Sequence, residues 1–297
     1  MHVPIIAEIG INHNGEMSLA KELIRIASVS GCNFVKFQKR NPDICVPEEK
    51  KNEMKVVPWE NEPITYLQYK KDIEFNIEQY KELFDYAKEL GLTPFASVWD
   101  IESAKEMSTL THICKIPSAK INDLELLEYC HLNFQFSMMS TGMSTEPEIE
   151  IAVFILDPDV IFHTNSEYPS PIEDLNLLYI KHLKRKFGSY TPMEDLTFTP
   201  IEFLQRRKNT RYIGYSNHFY GLTPCFASVA LGAEFIEVHI TKDHRMWGSD
   251  HSSSVEPTGL FKLVKGIRDL EEALKGDQLR TLYPGEIKKL KSLRKTL

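Results

Sequence analysis

The sequence predicts a (β/α)₈ barrel, the TIM barrel fold class, and three observations predict it. Eight short apolar runs alternate with amphipathic stretches that suit helices. The chain has 297 residues, somewhat more than the roughly 250 that are typical of such a barrel. The first apolar run is not followed by the GxGxxG turn that is usual in a doubly wound sheet, the structural alternative. The predicted strands are 5–9, 34–38, 93–97, 112–116, 135–139, 160–162, 212–215 and 235–239.

Glycine and proline mark the ends of the predicted helices. The helical stretches 19–30, 78–90 and 222–231 are followed directly by Gly31, Gly91 and Gly232. Glycine is the residue that most often ends a helix in this position, because it adopts a left-handed backbone conformation without strain. Pro147 and Pro257 indicate helix starts, since proline is tolerated in the first turn.

We expect one barrel domain, residues 1–276, with three segments beyond a minimal barrel. Residues 39–73 form a long charged connection with four prolines, and a connection of this length is usually a lid or substrate loop. Residues 188–210 form a predicted insertion with an extra helix near 200–208. Residues 277–297 form a basic tail, which we expect to be a solvated terminal helix rather than a site for polyanions.

The composition is that of a soluble globular protein and excludes several classes of function. Lys and Arg total 35 against 42 Asp and Glu, a net charge of −7, so the chain is not expected to bind nucleic acid. No apolar run is long enough to span a membrane, and the N-terminus lacks the basic start of an export signal. Five cysteines without metal-ligand spacing favour a cytoplasmic location.

Polar residues follow or end all eight predicted strands. One such lysine or serine is usually a solvated rim residue, but active sites of this fold lie at the strand C-terminal ends. The occurrence at every strand end therefore indicates function, since an inward-facing charge is costly without partners. The candidates are Glu8, Lys36, Gln38, Ser97, Lys115, Ser118, Ser140, Asn165, Ser166, Tyr168, Ser216, His218, Glu237 and His239.

These residue types narrow the chemistry. Lys36, Lys115 and several hydroxyls suit a substrate that carries phosphate and carboxylate groups. His218 and His239 come from neighbouring strands and can share one divalent cation. Two imidazole ligands favour Mn²⁺ over Mg²⁺, which prefers oxygen ligands. A cation here would polarise a carbonyl group, although a buried histidine is also commonly satisfied by backbone carbonyls.

Seven motifs in order along the chain resemble the sialic acid (N-acetylneuraminate) synthase family, and together they cover about residues 3 to 275. The motifs are AEIGINHNG at 7–15, VKFQ at 35–38, KIPS at 115–118, STGM at 140–143, NSEYPSP at 165–171, GYSNH at 214–218 and EVHIT at 237–241. The resemblance implies a (β/α)₈ transferase that condenses phosphoenolpyruvate with N-acetylmannosamine or a similar 2-acetamido sugar. The products would be a nonulosonic acid of the sialic acid type and phosphate.

The resemblance also implies residue roles. His218 and His239 would hold Mn²⁺ or Mg²⁺, and Glu8 would handle protons. Gln38, Tyr168 and Asp250 match positions on the sugar side of the family site, and we add Ser97 and Asn165 as substrate-binding candidates. The positions that match the phosphoenolpyruvate site are Lys36, Lys115, Ser118, Ser140, Ser166 and Ser216. Of these, Lys36 and Lys115 are counted with Glu8 and His218 as catalytic.

Several features depart from the family pattern. The family commonly carries a C-terminal antifreeze-like domain that completes the partner's site in a homo-oligomer, whereas this sequence ends at Leu297. Asn217 stands where aspartate is usual, Lys120 replaces an acidic residue and Glu167 replaces a neutral one. We predict a salt bridge between Lys120 and Glu167 at the pocket mouth. The competing hypothesis is that Lys120 binds an anionic group on the acceptor sugar.

Two other functions compete with the synthase interpretation. A Schiff-base aldolase of the same fold would use Lys36 or Lys115 as its nucleophile. A non-catalytic descendant that binds sugar or phosphate would have no need of a carboxylate that transfers protons. The presence of Glu8 beside both lysines and both histidines therefore favours the enzyme.

Overall fold

The structure, a computed structural model, describes residues 2–188, 211–276 and 279–294 and contains a closed barrel of eight parallel strands. Each strand pairs with its neighbours in the sequence, and the last strand pairs with the first. The predicted insertion at 188–210 lies outside the described residues, apart from Gly188. The barrel strands are β1 Ile5–Gly10, β2 Phe34–Lys39, β3 Thr93–Val98, β4 Ile113–Ile116, β5 Phe136–Ser140, β6 Val160–His163, β7 Tyr212–Asn217 and β8 Phe235–His239.

One main helix follows each strand, which confirms the predicted (β/α)₈ fold. The predicted glycine caps are present: Gly31, Gly91 and Gly232 have φ angles of 86°, 76° and 101°. Pro147 and Pro257 lie in the first turns of their helices, as predicted. The helices are α1 Met17–Ser30, α2 Ile77–Glu89, α3 Ile101–Ser108, α4 Leu124–Asn133, α5 Glu146–Leu156, α6 Tyr179–Phe187, α7 Thr223–Ala230 and α8 Pro257–Ala273.

The strands separate two apolar cores because successive side chains point to opposite faces. One face packs against the helices, where Ile5, Ala7 and Ile9 of β1 join the large outer core. The other face fills the lower, N-terminal part of the barrel interior, which we call the lower layer. Its members are Ile6, Phe34, Phe95, Ile113, Phe136, Met138, Val160, Phe162, Tyr212 and Phe235. The barrel is therefore packed below and open to polar side chains only above.

The long connection after β2 has structure of its own. It contains helices Pro42–Cys45 and Tyr66–Asp72 and a hairpin that pairs Met54–Lys55 with Ile64–Thr65. Val57, Tyr69 and Ile73 form a small core there. Trp247, from the loop after β8, packs against Tyr69 with ring centroids 5.2 Å apart. This segment, residues 40–75, lies beside the loops at the C-terminal end of the barrel, and we call it the lid segment.

The basic tail contains a further helix, Pro284–Leu293, in which no side chain is buried. Among the described residues, no helix combines the length and the apolar character that crossing a membrane requires. All five cysteines are free thiols.

Candidate active site

Charged and polar side chains occupy the upper half of the barrel interior, directly above the lower layer. They come from the same inward-facing rows of the strands, two residues after the apolar ones: Ile6 is followed by Glu8, Phe34 by Lys36, and Phe235 by Glu237. The strand register places Glu8 opposite both Lys36 and His239. These side chains line a cavity of about 130 Å³.

Most of the predicted site residues meet in this cavity. All of them line it except Asn165 and Asp250. The lining set is Glu8, Lys36, Gln38, Ser97, Lys115, Ser118, Ser140, Ser166, Tyr168, Ser216, His218 and His239, together with Glu237. Sequence reasoning missed Trp99 and Met143, which also line it. Both follow the polar ends of their strands by two or three residues, and that position was the available signal.

Four buried charges form the floor of the cavity, and we call them the inner quartet: Glu8, Lys36, Lys115 and Glu237. Lys36 Nζ lies 2.7 Å from Glu8 Oε2 and 3.6 Å from Glu237 Oε1. Lys115 Nζ lies 2.8 Å from Glu237 Oε1. None of the four residues is more than 4% exposed. Two cations and two carboxylates therefore balance in a place that water hardly reaches.

Burial and the neighbouring charges of the inner quartet shift the pKa values of three of its members. Burial lowers the pKa of Lys115 to about 8, against the opposing effect of the Glu237 carboxylate. Burial also opposes the charged forms of Lys36 and Glu237, but the opposite charges are stronger. They raise the pKa of Lys36 and lower the pKa of Glu237 to about 2. All three groups are thus charged at neutral pH.

Neutral donors hold the two carboxylates in place. Gln38 Nε2 donates to Glu8 Oε1 at 2.9 Å, and Ser216 Oγ donates to Glu237 Oε1 at 3.1 Å. Gly10 ends β1 with a φ of 56°, and a Cβ there would lie 3.1 Å from both Gln38 Nε2 and Glu8 Oε1. Glycine therefore lets the chain turn next to the Glu8 carboxylate.

Hydroxyl groups form one wall of the cavity. The Gly142 amide donates to Ser118 Oγ at 3.1 Å, and Ser166 Oγ is buried without a hydrogen-bond partner among the described residues. A Cβ on Gly142 would lie 2.1 Å from Ser166 Oγ and 2.9 Å from Ser118 Oγ. Any side chain on residue 142 would therefore displace the Ser166 hydroxyl. A buried hydroxyl without a partner, next to a glycine that leaves space, is suited to bind a phosphate or carboxylate oxygen.

The two predicted metal ligands converge on the Tyr168 hydroxyl. Its oxygen lies 2.8 Å from His218 Nε2 and 3.4 Å from His239 Nε2. The Asn165 carbonyl accepts from His218 Nδ1 at 2.6 Å, which leaves the lone pair of His218 on Nε2. Burial holds the pKa of His218 well below its usual value, and His239 reinforces this effect. Asp250 Oδ2 lies 3.7 Å from His239 Nδ1.

This donor set fits a divalent cation. A neutral histidine with its lone pair on Nε2, oriented by a carbonyl on Nδ1, is the usual form of a metal ligand. His239 Nδ1 is buried without a hydrogen-bond partner among the described residues, and it faces the Asp250 carboxylate. Among the residues that the structure describes, two histidines converge here, so a cation bound here would need water or substrate oxygens to complete its shell.

Asn165 and Asp250 lie outside the cavity wall. The Asn165 side chain stabilises its own loop: Nδ2 donates to the Asp174 carbonyl, and Oδ1 accepts from the Glu167 amide. Its backbone carbonyl, rather than its side chain, is what reaches the site, through His218. Asp250 reaches the site through His239. Their expected direct contacts with substrate stay predictions.

The predicted salt bridge between Lys120 and Glu167 is wrong. Lys120 Nζ lies 3.3 Å from Asp123 Oδ2, three residues further along its own loop. Glu167 belongs to the loop after β6, where its amide binds Asn165. A local carboxylate three residues away is easier to reach than one on another loop, so the two departures from the family pattern are independent. Asn217 also has a local role, because its Nδ2 donates to the carbonyls of Phe219 and Gly221.

Comparison with known proteins shows the family. The chain matches the NeuB family over residues 23–191 and 188–279. It is 33% identical to N,N'-diacetyllegionaminic acid synthase of Campylobacter jejuni, over 99% of this chain and 83% of that protein. It is 34% identical to N-acetylneuraminate-9-phosphate synthase of Mus musculus, over 95% of this chain and 74% of that protein.

Solved structures agree. The N-acetylneuraminic acid synthetase of Leptospira borgpetersenii, solved in complex with citrate, superposes with a TM-score of 0.80 at 29% identity. The match covers 100% of this chain and 94% of that one. The barrel fold and the family resemblance predicted from the sequence are both confirmed. This chain belongs to the NeuB family.

Proposed function

We propose that this protein is a transferase that condenses phosphoenolpyruvate with a 2-acetamido sugar of the N-acetylmannosamine type, giving a nonulosonic acid and phosphate. The relatives named above are synthases of such acids, and this supports a synthase of the same general type. The observation that carries the proposal is the inner quartet, which lies below two histidines in a state suited to metal binding. We also propose a cytoplasmic location, since the five cysteines are free thiols.

The cavity can accept a multiply charged anion only if additional positive charge enters with it. The four charges of the quartet sum to zero, so Lys36 and Lys115 cannot simply neutralise phosphoenolpyruvate. An entering anion competes with Glu237 and Glu8 for the two ammonium groups, each at 2.7–2.8 Å from a carboxylate. Proton uptake by a carboxylate or the charge of a cation at the histidines would restore the balance.

Different residues would bind the two substrates. Lys36, Lys115 and the hydroxyls of Ser118, Ser166 and their neighbours would bind the phosphate and carboxylate of phosphoenolpyruvate. His218 and His239 would hold Mn²⁺ or Mg²⁺, which when bound would polarise the aldehyde of the open-chain sugar. Gln38 and Tyr168 would contact the sugar.

The reaction balances with one water molecule. C3 of phosphoenolpyruvate forms a bond to the sugar aldehyde carbon, and the aldehyde oxygen takes up a proton. Water adds at C2, the bond between C2 and the phosphate oxygen breaks, and phosphate leaves. Glu8, held by Lys36 and Gln38 at the cavity floor, is the carboxylate proposed to take and return the proton.

The test is sugar-dependent release of phosphate from phosphoenolpyruvate, with the product mass measured across a panel of acetamido sugars and their phosphates. Lys115→Met should lower kcat/KM for phosphoenolpyruvate at least tenfold, since one charge-assisted contact contributes about 1.5–3 kcal/mol. Lys105→Met, which removes an exposed lysine on α3, is the matched control. Phosphate release that no sugar stimulates would refute the proposal.

Metal dependence is tested separately. Chelation should abolish turnover and Mn²⁺ should restore it. His239→Ala should lose Mn²⁺ binding in calorimetry while its unfolding temperature stays near that of the wild type. Full activity in a chelator would remove the cation from the proposal.

One observation favours a Schiff-base aldolase as a second candidate. Burial lowers the pKa of Lys115 to about 8, which brings its amine closer to the neutral, nucleophilic form. Borohydride treatment in the presence of a keto acid would trap the imine on Lys115. The synthase proposal predicts no such adduct.

A further inference from the structure

The two ends of the lid segment meet at a buried ion pair next to the cavity. Lys39 is the last residue of β2, directly after Gln38, which lines the cavity. Lys39 Nζ lies 3.3 Å from Oε1 of Glu74, near the end of the lid segment, and the two side chains are 10% and 12% exposed. Lys39 Nζ also donates to the Phe75 carbonyl at 3.2 Å. The lid segment is thus closed on itself at the end of β2.

The Glu74 carboxylate holds the backbone where β2 ends. The buried Tyr80 hydroxyl, on α2, donates to the Gln38 carbonyl at 2.8 Å and lies 3.3 Å from Glu74 Oε1. The same carboxylate pairs with Lys39 and accepts a hydrogen bond from the Arg40 amide. One carboxylate of the lid segment therefore contacts the chain from the Gln38 carbonyl to the Arg40 amide, directly or through Tyr80.

The Gln38 side chain depends on this part of the backbone. Its Oε1 accepts a hydrogen bond from the Arg40 guanidinium, and its Nε2 donates to Glu8 Oε1 at 2.9 Å. Arg40 is thus tied to Glu74 by its amide and to Gln38 by its side chain. Glu8 has a second partner, Lys36, at 2.7 Å. A shift of the backbone after β2 would therefore move Gln38 while Lys36 still holds Glu8.

The charge of Glu74 changes near neutral pH. Burial raises the pKa of Glu74 to about 7, against the opposing effect of the Lys39 and Arg40 charges. Because this pKa lies above the ordinary value, the carboxylate takes up a proton as the pH falls through about 7. The neutral form loses its attraction for Lys39 and accepts more weakly from the Arg40 amide.

The other groups around Glu74 keep their charge state in this range. Lys39 keeps a second carboxylate, Glu106 of α3, whose Oε2 lies 3.2 Å from its Nζ. Burial holds the pKa of Tyr80 well above its usual value, so the phenol stays neutral. Lys70 of the lid segment, on which the Glu74 charge also acts, has a pKa of about 8 and is mostly charged below pH 7.5. Glu74 is therefore the group of this cluster that titrates between pH 7.5 and 6.

We propose that Glu74 is a positioning residue for the acceptor sugar, which it acts on through Gln38. The proposal rests on the proposed function, because that function assigns Gln38 to the sugar. The charged carboxylate keeps the end of β2, and with it the Gln38 amide, in the orientation that contacts the sugar. Protonation loosens this contact, so affinity for the sugar falls as the solution becomes more acidic. Binding of phosphoenolpyruvate, proposed for Lys36 and Lys115, is unaffected.

The variant Glu74→Gln tests this, because it removes the charge and keeps the shape. With N-acetylmannosamine as acceptor at pH 7.5, its KM for the sugar should rise about fivefold or more, and its KM for phosphoenolpyruvate should change less than about twofold. The wild-type KM for the sugar should rise about twofold or more from pH 7.5 to pH 6, whereas that of Glu74→Gln should be constant. A wild-type KM that is the same at both pH values would overturn the proposal.

Glu106→Gln is the matched control. It removes the other carboxylate that binds Lys39 Nζ, but Glu106 lies on α3, outside the lid segment. This variant should keep the wild-type KM for the sugar and its pH dependence. Equal changes in the Glu106 and Glu74 variants would overturn the proposal, since they would show a general effect of removing charge near Lys39.

A double-mutant cycle shows whether Glu74 acts through Gln38. Gln38→Ala should raise the KM for the sugar, and adding Glu74→Gln to it should change that KM by less than about twofold. Fully multiplicative effects of the two substitutions would overturn the proposal, because they would give Glu74 a role that is independent of Gln38.

Hydrogen exchange separates this proposal from the proposed function. At pH 7.5, the amides of residues 36–42 should exchange faster in Glu74→Gln than in the wild type and in Glu106→Gln. If no sugar stimulates phosphate release, the proposed function fails, yet this difference would still support Glu74 as the residue that holds Gln38. Equal exchange in all three proteins would overturn the positioning role whatever the enzyme's substrates are.

Discussion

The lower and upper halves of the barrel interior are built from the same strands but from opposite kinds of side chain. In the lower layer, Phe34, Phe95 and Phe235 pack in a dry cluster. One step up the same rows, Lys36 and Glu237 are equally buried but ionised. The lower half gains stability from packing, whereas the upper half keeps buried charges that only mutual pairing makes tolerable.

The difference shows how the fold separates stability from chemistry. The lower layer packs side chains from all eight strands together, and the strand pairing holds the ends of the upper rows in fixed register. Substitutions in the lower layer should therefore change stability without changing substrate affinity. Substitutions in the upper layer should change activity first.

The largest effect is expected from Glu237→Gln. Removing this carboxylate leaves Lys36 and Lys115 with Glu8 alone, so kcat/KM should fall by a factor of about 100 or more. Because an uncompensated buried charge remains, the free energy of unfolding should also fall by about 3–5 kcal/mol. Phosphate release measures the loss of kcat/KM, and urea unfolding measures the loss of unfolding free energy.

The double variant Lys115→Met, Glu237→Gln sharpens this result. It removes one charge of each sign, so much of the lost stability should return while activity stays low. Additive losses of stability would contradict the pairing described for the upper layer.

The counterpart in the lower layer is Phe95→Ala. Phe95 is fully buried, and its truncation should cost about 3–5 kcal/mol of unfolding free energy through the cavity that it leaves. The KM for phosphoenolpyruvate of the folded enzyme should stay within twofold of the wild type. A large rise in KM would show that the two halves are not separate.

A smaller loss is expected from Gly142→Ala, which places a methyl group against Ser166 and Ser118. Activity should fall about tenfold, since one charge-assisted contact to the substrate would be blocked, and stability should change little if the serine side chains can rotate away. Gly285→Ala is the control, because a Cβ there meets no atom within 4 Å. Equal activities of the two variants would place Gly142 outside the site.

The pH dependence should be the smallest effect. The pKa of Lys115 in the folded protein is about 8, below its ordinary value, so the lysine loses its charge as the pH rises through about 8. The KM for phosphoenolpyruvate should therefore rise above pH 8 and be constant between pH 6 and 7.5. A KM that is constant up to pH 10 would contradict the lowered pKa.

The order of the strands, and most of the side chains that meet in the cavity, were predictable from the sequence for a simple reason. Short apolar runs fix the strands, and a polar residue at the end of such a run, as at Lys36 or Lys115, has few structural explanations. The observed strands begin within one residue of the predicted ones. The seven motifs that together resemble one family predicted the roles of these residues.

Pairing between distant side chains was not readable. That Lys36 and Lys115 share Glu237 follows from barrel closure and register, which no local pattern encodes. The Asn165 carbonyl reaches His218 only because the loop after β6 folds back. The lid segment was expected as a loop, and its hairpin strands of two residues each are too short to give a periodic signal.

Phosphoenolpyruvate carrying ¹⁸O in the oxygen that bridges C2 and phosphorus tests the central proposal most directly. The protein is incubated with this substrate, Mn²⁺ and each sugar of the acetamido sugar panel. The ¹⁸O content of the released phosphate is then measured by mass spectrometry. Condensation at the cavity described here predicts sugar-dependent release in which the phosphate retains the ¹⁸O, because water attacks C2. Release of unlabelled phosphate, or release that is the same without any sugar, would contradict it.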